Sequence, residues 1–424
     1  MARRLTTTDG YAIINAMAAE MLGENATIQA IDESTFVSVG ESILQAGTEN
    51  VINTLSLVCS RDLIAIRPYT AKFRLINALD SGMFSNRVRK ISYYAKSALP
   101  TGASNTQLFG ENLGMGFDNG VHYDSSTPPV QMSTESQWVQ STPVTYQAWF
   151  GGGVEWQYNY TLYENALKLA FRSGAEFAAF INGFLVSAAN DIETEKEAFS
   201  RLVVLNAIGQ VANLTASMPN SFRNLTTEFN SKFGTSYTTA QLQSTYFSEF
   251  LAFFVATVKT DSDMLENRST LYHWSPTKTV NGVSYYLPRQ TKKIDQRMMM
   301  ISKFWNDAEA LVLPQIFNPQ YLSIDNFEKV DFWQNINDPM AVKTTPSIPD
   351  VSDPSAQIAG TAVDLACVLG ILYDRDAMMV DFHLEDVSVT PKEARKHYRN
   401  VWNTINKNPI NDATENMIVY YMAD

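Results

Sequence analysis

Apolar and polar positions change their spacing several times along this 424-residue chain, and each change predicts a different element. Residues 8–22, "TDGYAIINAMAAEML", predict a short helix capped by Thr8 or Asp9 and stopped at Gly23. Leu44, Val51, Leu55 and Val58 share one helical face, which predicts a second helix over 41–58. "RDLIAIRPY" then reads as extended up to Pro68. The segments "RVRKISYYAKS" and "VTYQAWFGGGVEWQYNY" are rich in β-branched and aromatic residues and predict strands, although neither alternates cleanly between apolar and polar. The stretch between them is dominated by Gly, Ser, Thr, Asn and Pro, as in "PTGASN", "GENLGMGFDNG" and "SSTPP". A connection this long and irregular fits poorly inside a compact domain. Yet it carries Phe109, Phe117, Tyr123 and Trp138, aromatics that a disordered linker lacks. A projecting element whose aromatics are buried by a neighbouring subunit satisfies both facts, and these four residues are the expected inter-subunit contacts.

The period then changes. Residues 162–171 predict a short helix, broken at Ser173-Gly174. Residues 175–217 contain no proline, and Phe177, Phe180, Ile181, Phe184, Ile192, Phe199, Leu202 and Val203 recur at helical spacing, which predicts a helix of ~40 residues spanning ~60 Å. Downstream, "TTAQLQSTYFSEFLAFFVATV" reads as an aromatic-rich helix and "KTVNGVSYYL" as a hairpin turning at Asn281-Gly282. "RMMMISKFW" reads as a strand and "NDAEALVLPQIF" as a helix capped by Asn306 or Asp307. Residues 344–360 have the composition of a linker. The end of the chain reads as a hairpin in "ACVLGILYDRDAMMVDF", a polar segment around "TPKEARKHYRNVWNTINKN" and a terminal strand "NMIVYYMAD".

Composition narrows the class. With 45% hydrophobic and 12% aromatic residues the chain can bury a large core, and no apolar run reaches the ~18–20 residues of a membrane span. Arg3 and Arg4 precede an apolar stretch in the manner of a secretion signal, but "TTTDG" and Asn15 interrupt it and favour a capped helix. Two cysteines, Cys59 and Cys367, make no disulfide framework and fit a reducing compartment. A net charge of −12 without long charge runs argues against sequence-specific nucleic-acid binding, though a wall that only encloses nucleic acid needs no basic face.

Candidate chemistry is sparse. Asp374-Arg375-Asp376 has the Asp-x-Asp form with which some glycosyltransferases hold a metal-bound nucleotide sugar, but no alternating α/β pattern or further oxygen ligands accompany it, and a turn between strands accounts for it. The four histidines, His122, His273, His383 and His397, are scattered without metal-ligand spacing. "GMGFDNG" misses the dinucleotide fingerprint, Gly151-Gly152-Gly153 suits a bulge or hinge, and Met298-Met299-Met300 suits a strand with a core face. No catalytic residue, metal ligand or cofactor site is assigned.

The order of parts resembles the major capsid protein of tailed bacteriophages, the Hong-Kong-97-type fold. The passage "YQAWFGGGVEWQYNYTLYENALKLAFRSGAEFAAFINGFLVSAANDIETEKEAFSRLVVLNAI" is similar to the run from the extended loop into the spine helix, particularly in small short-tailed phages. "CVLGILYDRDAMMVDF" followed by "NMIVYYMAD" is similar to the closing strands of the peripheral domain. The resemblance implies an α+β fold: an N-terminal arm over 1–62, the start of the peripheral domain over 63–86, a long extended β-loop over 87–160, the peripheral domain with its spine helix over 161–218, an inserted axial domain over 219–355 and closing peripheral strands over 356–424. It implies a non-enzymatic protein without cofactors. Copies would assemble as hexamers and pentamers into an icosahedral shell that encloses DNA without sequence-specific binding and without a membrane, built in the host cytoplasm with a portal. The absence of a long acidic helical leader before Ala26 makes a separate scaffolding protein the expectation. A portal, a tail tube, an encapsulin-type container and, remotely, a metal-dependent glycosyltransferase are the alternatives.

Overall fold

The computed structural model describes residues 7–22, 29–45, 76–79, 87–95, 143–151, 154–163, 169–280, 283–311, 326–350 and 356–424. The first helix, α1, spans Thr7–Leu22, as its pattern predicts. The second, α2, spans Glu33–Gln45 and so begins eight residues before the predicted start. The Asp32 carboxylate accepts from the Thr35 amide at 2.8 Å and starts the helix there, while Phe36, Val39 and Ile43 form its buried stripe. The remainder of the 41–58 prediction, like "RDLIAIRPY", lies outside the described residues. Asn15 clasps the approach to α2, donating to Ala30 O at 3.0 Å and accepting from Ala30 N at 2.7 Å.

The long helix, α3, runs Gly174–Asn213, 40 residues. Ser173 is its cap, in extended backbone, with its hydroxyl accepting from Glu176 N at 3.2 Å. Phe177 in its first turn stacks on Phe171, 5.1 Å between centroids, and meets Phe36 of α2 at 5.7 Å, which docks the N-terminal helices on the long one.

Two sheets flank α3. The first has the order β1-β15-β16-β4, from Asn77–Leu79 (β1), Val154–Tyr163 (β4), Met378–Val389 (β15) and Tyr398–Asn411 (β16). The helix predicted over 162–171 is therefore corrected: Leu162 and Tyr163 end β4, with Tyr163 opposite Tyr398, and helical backbone among the described residues resumes at 169. The supposed polar segment near the C-terminus is the 14-residue β16. Its asparagines hid the strand, but both of its edges are paired, to β15 and β4, so its backbone is satisfied.

The second sheet has the order β5-β17-β14-β8-β9, from Phe222–Asn224 (β5), Gln296–Ile301 (β8), Asn326–Val330 (β9), Val368–Asp374 (β14) and Met417–Tyr421 (β17). Helices Leu225–Phe233 (α4), Thr239–Leu242 (α5), Phe247–Met264 (α6) and Ser302–Leu311 (α7) surround it in sequence. The single helix expected across "TTAQLQSTYFSEFLAFFVATV" is thus two, α5 being started by a Thr238–Gln241 capping box. "RMMMISKFW" is strand only to Ile301; Phe304, Trp305 and Ala308 then form a buried helical stripe, so α7 starts at Ser302 rather than at Asn306 or Asp307. The methionine triplet is fully buried.

"ACVLGILYDRDAMMVDF" is not a hairpin. Every residue of β14 is buried, and both its edges are occupied, by β17 and β8, so no edge is left for β15, which enters the other sheet. The residues between the strands turn a corner from one sheet to the other. β14 and β17 also complete a sheet begun by β5, β8 and β9, so the chain on both sides of residue 355 shares one core.

The linker-like stretch is ordered as well. Val342–Thr344 (β10) pairs with Val363–Leu365 (β13), and Ser347–Pro349 (β11) with Gln357–Ala359 (β12). These ribbons are fastened to α3: Gln210 donates to Ser347 O at 2.6 Å and Asn206 accepts from Ser347 N at 2.7 Å. A Cβ on Gly209 would lie 2.7 Å from Thr344, so this face of α3 admits only glycine without displacement. Lys278–Val280 (β6) and Val283–Tyr285 (β7) pair as the hairpin prediction requires, with the turn itself outside the described residues.

Candidate assembly surface

Arg87–Tyr93 (β2) and Thr145–Gly151 (β3) form a separate antiparallel ribbon in which Arg89 faces Trp149 and Ile91 faces Gln147. Period-two geometry sorts its side chains into two sets. Tyr146, Ala148 and Phe150 are buried and join the main core, so β3 does alternate; the small Ala148 inside and the large Trp149 outside disguise the pattern. The ribbon is thus seated on its own subunit along one face, which corrects the expectation that all of 87–160 projects; 154–160 belongs to β4 in the first sheet. Gly151, at φ +118°, ends β3 in backbone that favours glycine, and the next described strand pairs elsewhere, while Gly152 and Gly153 lie outside the described residues.

An ionic seat fixes the inner face. The Lys90 ammonium donates to Asp412 Oδ2 and, at 2.5 Å, to Glu415 Oε1; Arg289 lies 3.3 Å from Glu415 and donates to Ser92 Oγ at 2.7 Å. Burial alone would lower the Lys90 amine, but the Asp412 and Glu415 carboxylates hold it above its usual value. Burial pushes Asp412 up, and Lys90 together with the hydrogen bonds from Thr414 more than reverses this, leaving its carboxyl below the ordinary range. Glu415 is raised by burial against the pull of Lys90 and Arg289. Beyond the seat, Ala95 N donates to Tyr286 O at 3.0 Å. Nothing in the sequence marks this cluster, in which Lys90 lies more than 300 positions from both Asp412 and Glu415.

The outer face is different in character. Ile91, Tyr93 and Trp149 are 43%, 64% and 45% exposed, and Arg89 lies over Trp149 with its guanidinium 5.5 Å from the ring centroid. Between the glycine end of the ribbon and α3 lies a groove of about 390 Å³, lined by Trp149, Leu202, Asn206, Gln210, Ser347 and Asn411 among others. The four aromatics expected to contact a neighbour, Phe109, Phe117, Tyr123 and Trp138, lie outside the described residues.

The other candidates resolve as structural groups. Asp374 is buried and occupied, 2.7 Å from Thr291 Oγ1 and accepting from Asp376 N at 2.9 Å, while Asp376 is half-exposed beside Arg375. His273 is fully buried between Asn416 and Leu287, and burial pulls it down to about 4. His397 sits at φ 52° in a surface turn, and His122 lies outside the described residues. Cys367 is buried and pushed up to about 11 by burial. Among the described residues no three His, Cys, Asp or Glu side chains could share a metal ion, and no helix is long and apolar enough to cross a membrane.

No family model and no curated protein matches the chain. Solved structures do, and they come from phage particles. The chain is similar to one in the capsid structure of Staphylococcus phage Andhra, at 11% identity and a TM-score of 0.48, over 85% of this chain and 87% of that one. It is similar to one in the structure of head fiber and inner core protein gp22 of native bacteriophage P68, at 11% identity and 0.49, over 83% and 85%. A third likeness is to the asymmetric unit of the bacteriophage PhiM1 mature capsid, at 8% identity and 0.40, over 84% and 88%.

Proposed function

We propose that the chain is the major capsid protein of a tailed phage, a structural subunit that assembles with copies of itself into an icosahedral shell around DNA. The observation that carries this reading is the ribbon: locked to the body by a buried ionic seat on one face, it presents Ile91, Tyr93 and Trp149 to solvent on the other. A fixed apolar face of this kind suits burial by a second copy. The order of the described elements supports the reading too, with the N-terminal helices, a ribbon bracketing residues 96–142, the 40-residue helix and the closing strands in the sequence that the resemblance implies. On this reading α3 and the first sheet form the peripheral domain and the second sheet the axial domain; β14 and β17, which the resemblance had put among the closing peripheral strands over 356–424, pair instead with strands of the axial region. Phe109, Phe117, Tyr123 and Trp138 are then contacts to the neighbouring copy. A separate scaffolding protein and a portal complete the assembly, which takes place in the host cytoplasm. The enclosed DNA is held loosely, in keeping with a net charge of −12.

The test is a double surface substitution, Ile91→Glu with Trp149→Glu. Both side chains are half-exposed on the outer face and neither belongs to the core, so the change in subunit stability is modest, about 1 kcal/mol per site, most of it at Trp149 where the contact with Arg89 is lost. Circular dichroism and size-exclusion chromatography then show a folded subunit, and negative-stain images show no closed shells. Normal shells from this variant would remove the ribbon from the assembly interface.

A further inference from the structure

The corner that carries β14 into β15 is tied to a chain of four buried hydrogen bonds. Asp374 Oδ2 lies 2.7 Å from Thr291 Oγ1, and Thr291 Oγ1 lies 3.0 Å from Asn416 Nδ2. Asn416 Oδ1 lies 3.0 Å from His273 Nδ1, and His273 Nε2 lies 2.6 Å from Leu287 O. All four side chains are at least nine-tenths buried.

Counting hydrogens exposes a deficit. Each link needs one hydrogen, so the chain needs four. An ionised Asp374 supplies none and the Thr291 hydroxyl supplies one. The Asn416 amide supplies one, because its oxygen and nitrogen face opposite neighbours, and a neutral His273 supplies one because Leu287 O can only accept. Three hydrogens cannot fill four links. Wherever the gap falls, two acceptors face each other inside the core, which costs about 1–3 kcal/mol. Turning the Asn416 amide, whose two ends are assigned by the network rather than seen, moves the gap without removing it.

We propose that the Asp374 carboxyl carries the fourth hydrogen, so that Asp374, Thr291, Asn416 and His273 form a neutral proton-holding latch that opens with rising pH. In the filled arrangement the Asp374 hydroxyl donates to Thr291, Thr291 donates to Asn416 Oδ1, Asn416 Nδ2 donates to His273 Nδ1, and His273 Nε2 donates to Leu287 O. Asp374 Oδ1 still accepts from Asp376 N. The surroundings favour the proton at this end. Burial raises the Asp374 carboxyl and lowers His273, the first opposed by hydrogen bonds from Asp376 and Thr291 and the second by those to Leu287 and Asn416. The charges facing Asp374 are Asp376, which supports protonation, and Lys90, which opposes it; Arg375 beside it is 3.6 Å from Asp295. Those facing His273 are Arg289 and Asp412.

The latch sits where the two sheets and the ribbon meet. Asp374 N donates to Asn416 O at 2.9 Å and Asp412 N to Ala377 O at 2.9 Å, while Asp412 and Glu415, in the same turn as Asn416, hold Lys90 of the ribbon. Loss of the proton therefore loosens the turn on which the ribbon is seated. The sign follows from linkage: a carboxyl raised above its unfolded value of ~3.9 gives stability that is full below that value and is lost as pH rises through the folded one.

Asp374→Asn tests this, because an asparagine supplies the fourth hydrogen permanently and keeps the acceptor for Asp376 N. Unfolding of the wild-type subunit and of Asp374→Asn is followed in urea between pH 4 and pH 8. The latch predicts that the variant gains on the wild type as pH rises, the ratio of their unfolding constants growing by up to tenfold per pH unit until the folded carboxyl titrates. A ratio that stays constant over the range overturns the proposal. In a second measurement, with subunits labelled at aspartate carboxyl carbons and histidine nitrogens, nuclear magnetic resonance at pH 5.5 should show a protonated aspartate whose signal is missing from Asp374→Asn, which separates it from Asp261, raised to about 6 by burial, and a buried neutral histidine carrying its proton on Nε2. An ionised Asp374 beside a neutral His273 at that pH overturns it equally.

Discussion

Leu372→Asp yields no soluble subunit. Leu372 is fully buried at the middle of β14, with Ile418 and Met298 as its strand partners, and β14 is buried along its whole length. An aspartate there is placed within the apolar cluster, between Ile418 and Met298, and a buried charge without a partner costs several kcal/mol, roughly 3–5 where a pair has been broken. Total stability of a domain is only about 5–15 kcal/mol, so a loss of this size at the sheet shared by both halves of the chain depletes the folded state. Leu372→Met, which conserves volume, costs less than about 1.5 kcal/mol and serves as the control. The soluble fraction after expression measures the contrast. Equal recovery of the aspartate and methionine variants would show that β14 is not the central strand described.

Lys90→Met produces the second large effect. It leaves the Asp412 carboxylate, only 1% exposed, without its closest cation, at a cost of about 3 kcal/mol or more. Adding Asp412→Asn to the same chain recovers a large part of the loss, because the uncompensated Asp412 charge is gone and Glu415 keeps Arg289, 3.3 Å away, as its cation. Urea denaturation of the two single variants and the double variant gives the coupling energy. The pair also has a definite pH dependence. Asp412 is held below its ordinary value, so its contribution is present above ~pH 4 and disappears as pH falls through the lowered value. Additive losses in the double variant would dissolve the ionic seat as a unit.

What the sequence made legible was what local spacing encodes. The 40-residue helix could be read because proline is absent and large apolar residues recur at helical intervals, and Ser173 announces its start. The boundaries of α2 could have been read from Asp32 and Thr35, a side-chain cap that the apolar pattern alone overlooks. Strand partners were not legible. "VLGILYD" and "MMVDF" are adjacent in sequence and extended, and a tight hairpin is the cheap local solution; only the occupation of both β14 edges by β8 and β17 forces the chain into another sheet. β16 escaped notice because asparagines dominate it, while its stability comes from two long ladders. The seat of the ribbon was invisible for a simpler reason: Lys90 and Asp412 are 322 positions apart, and no local rule joins them. The Asp374-Arg375-Asp376 turn was legible as a turn, but the burial of Asp374 and its link through Thr291 to His273 were not.

The central claim is that the exposed face of the ribbon exists to be covered by another copy of the same chain in a closed shell. Negative-stain imaging of the purified chain, expressed alone and together with a scaffolding partner, tests it most directly. Closed icosahedral shells are the predicted result. Single rings, open tubes, or isolated subunits under both conditions would contradict it.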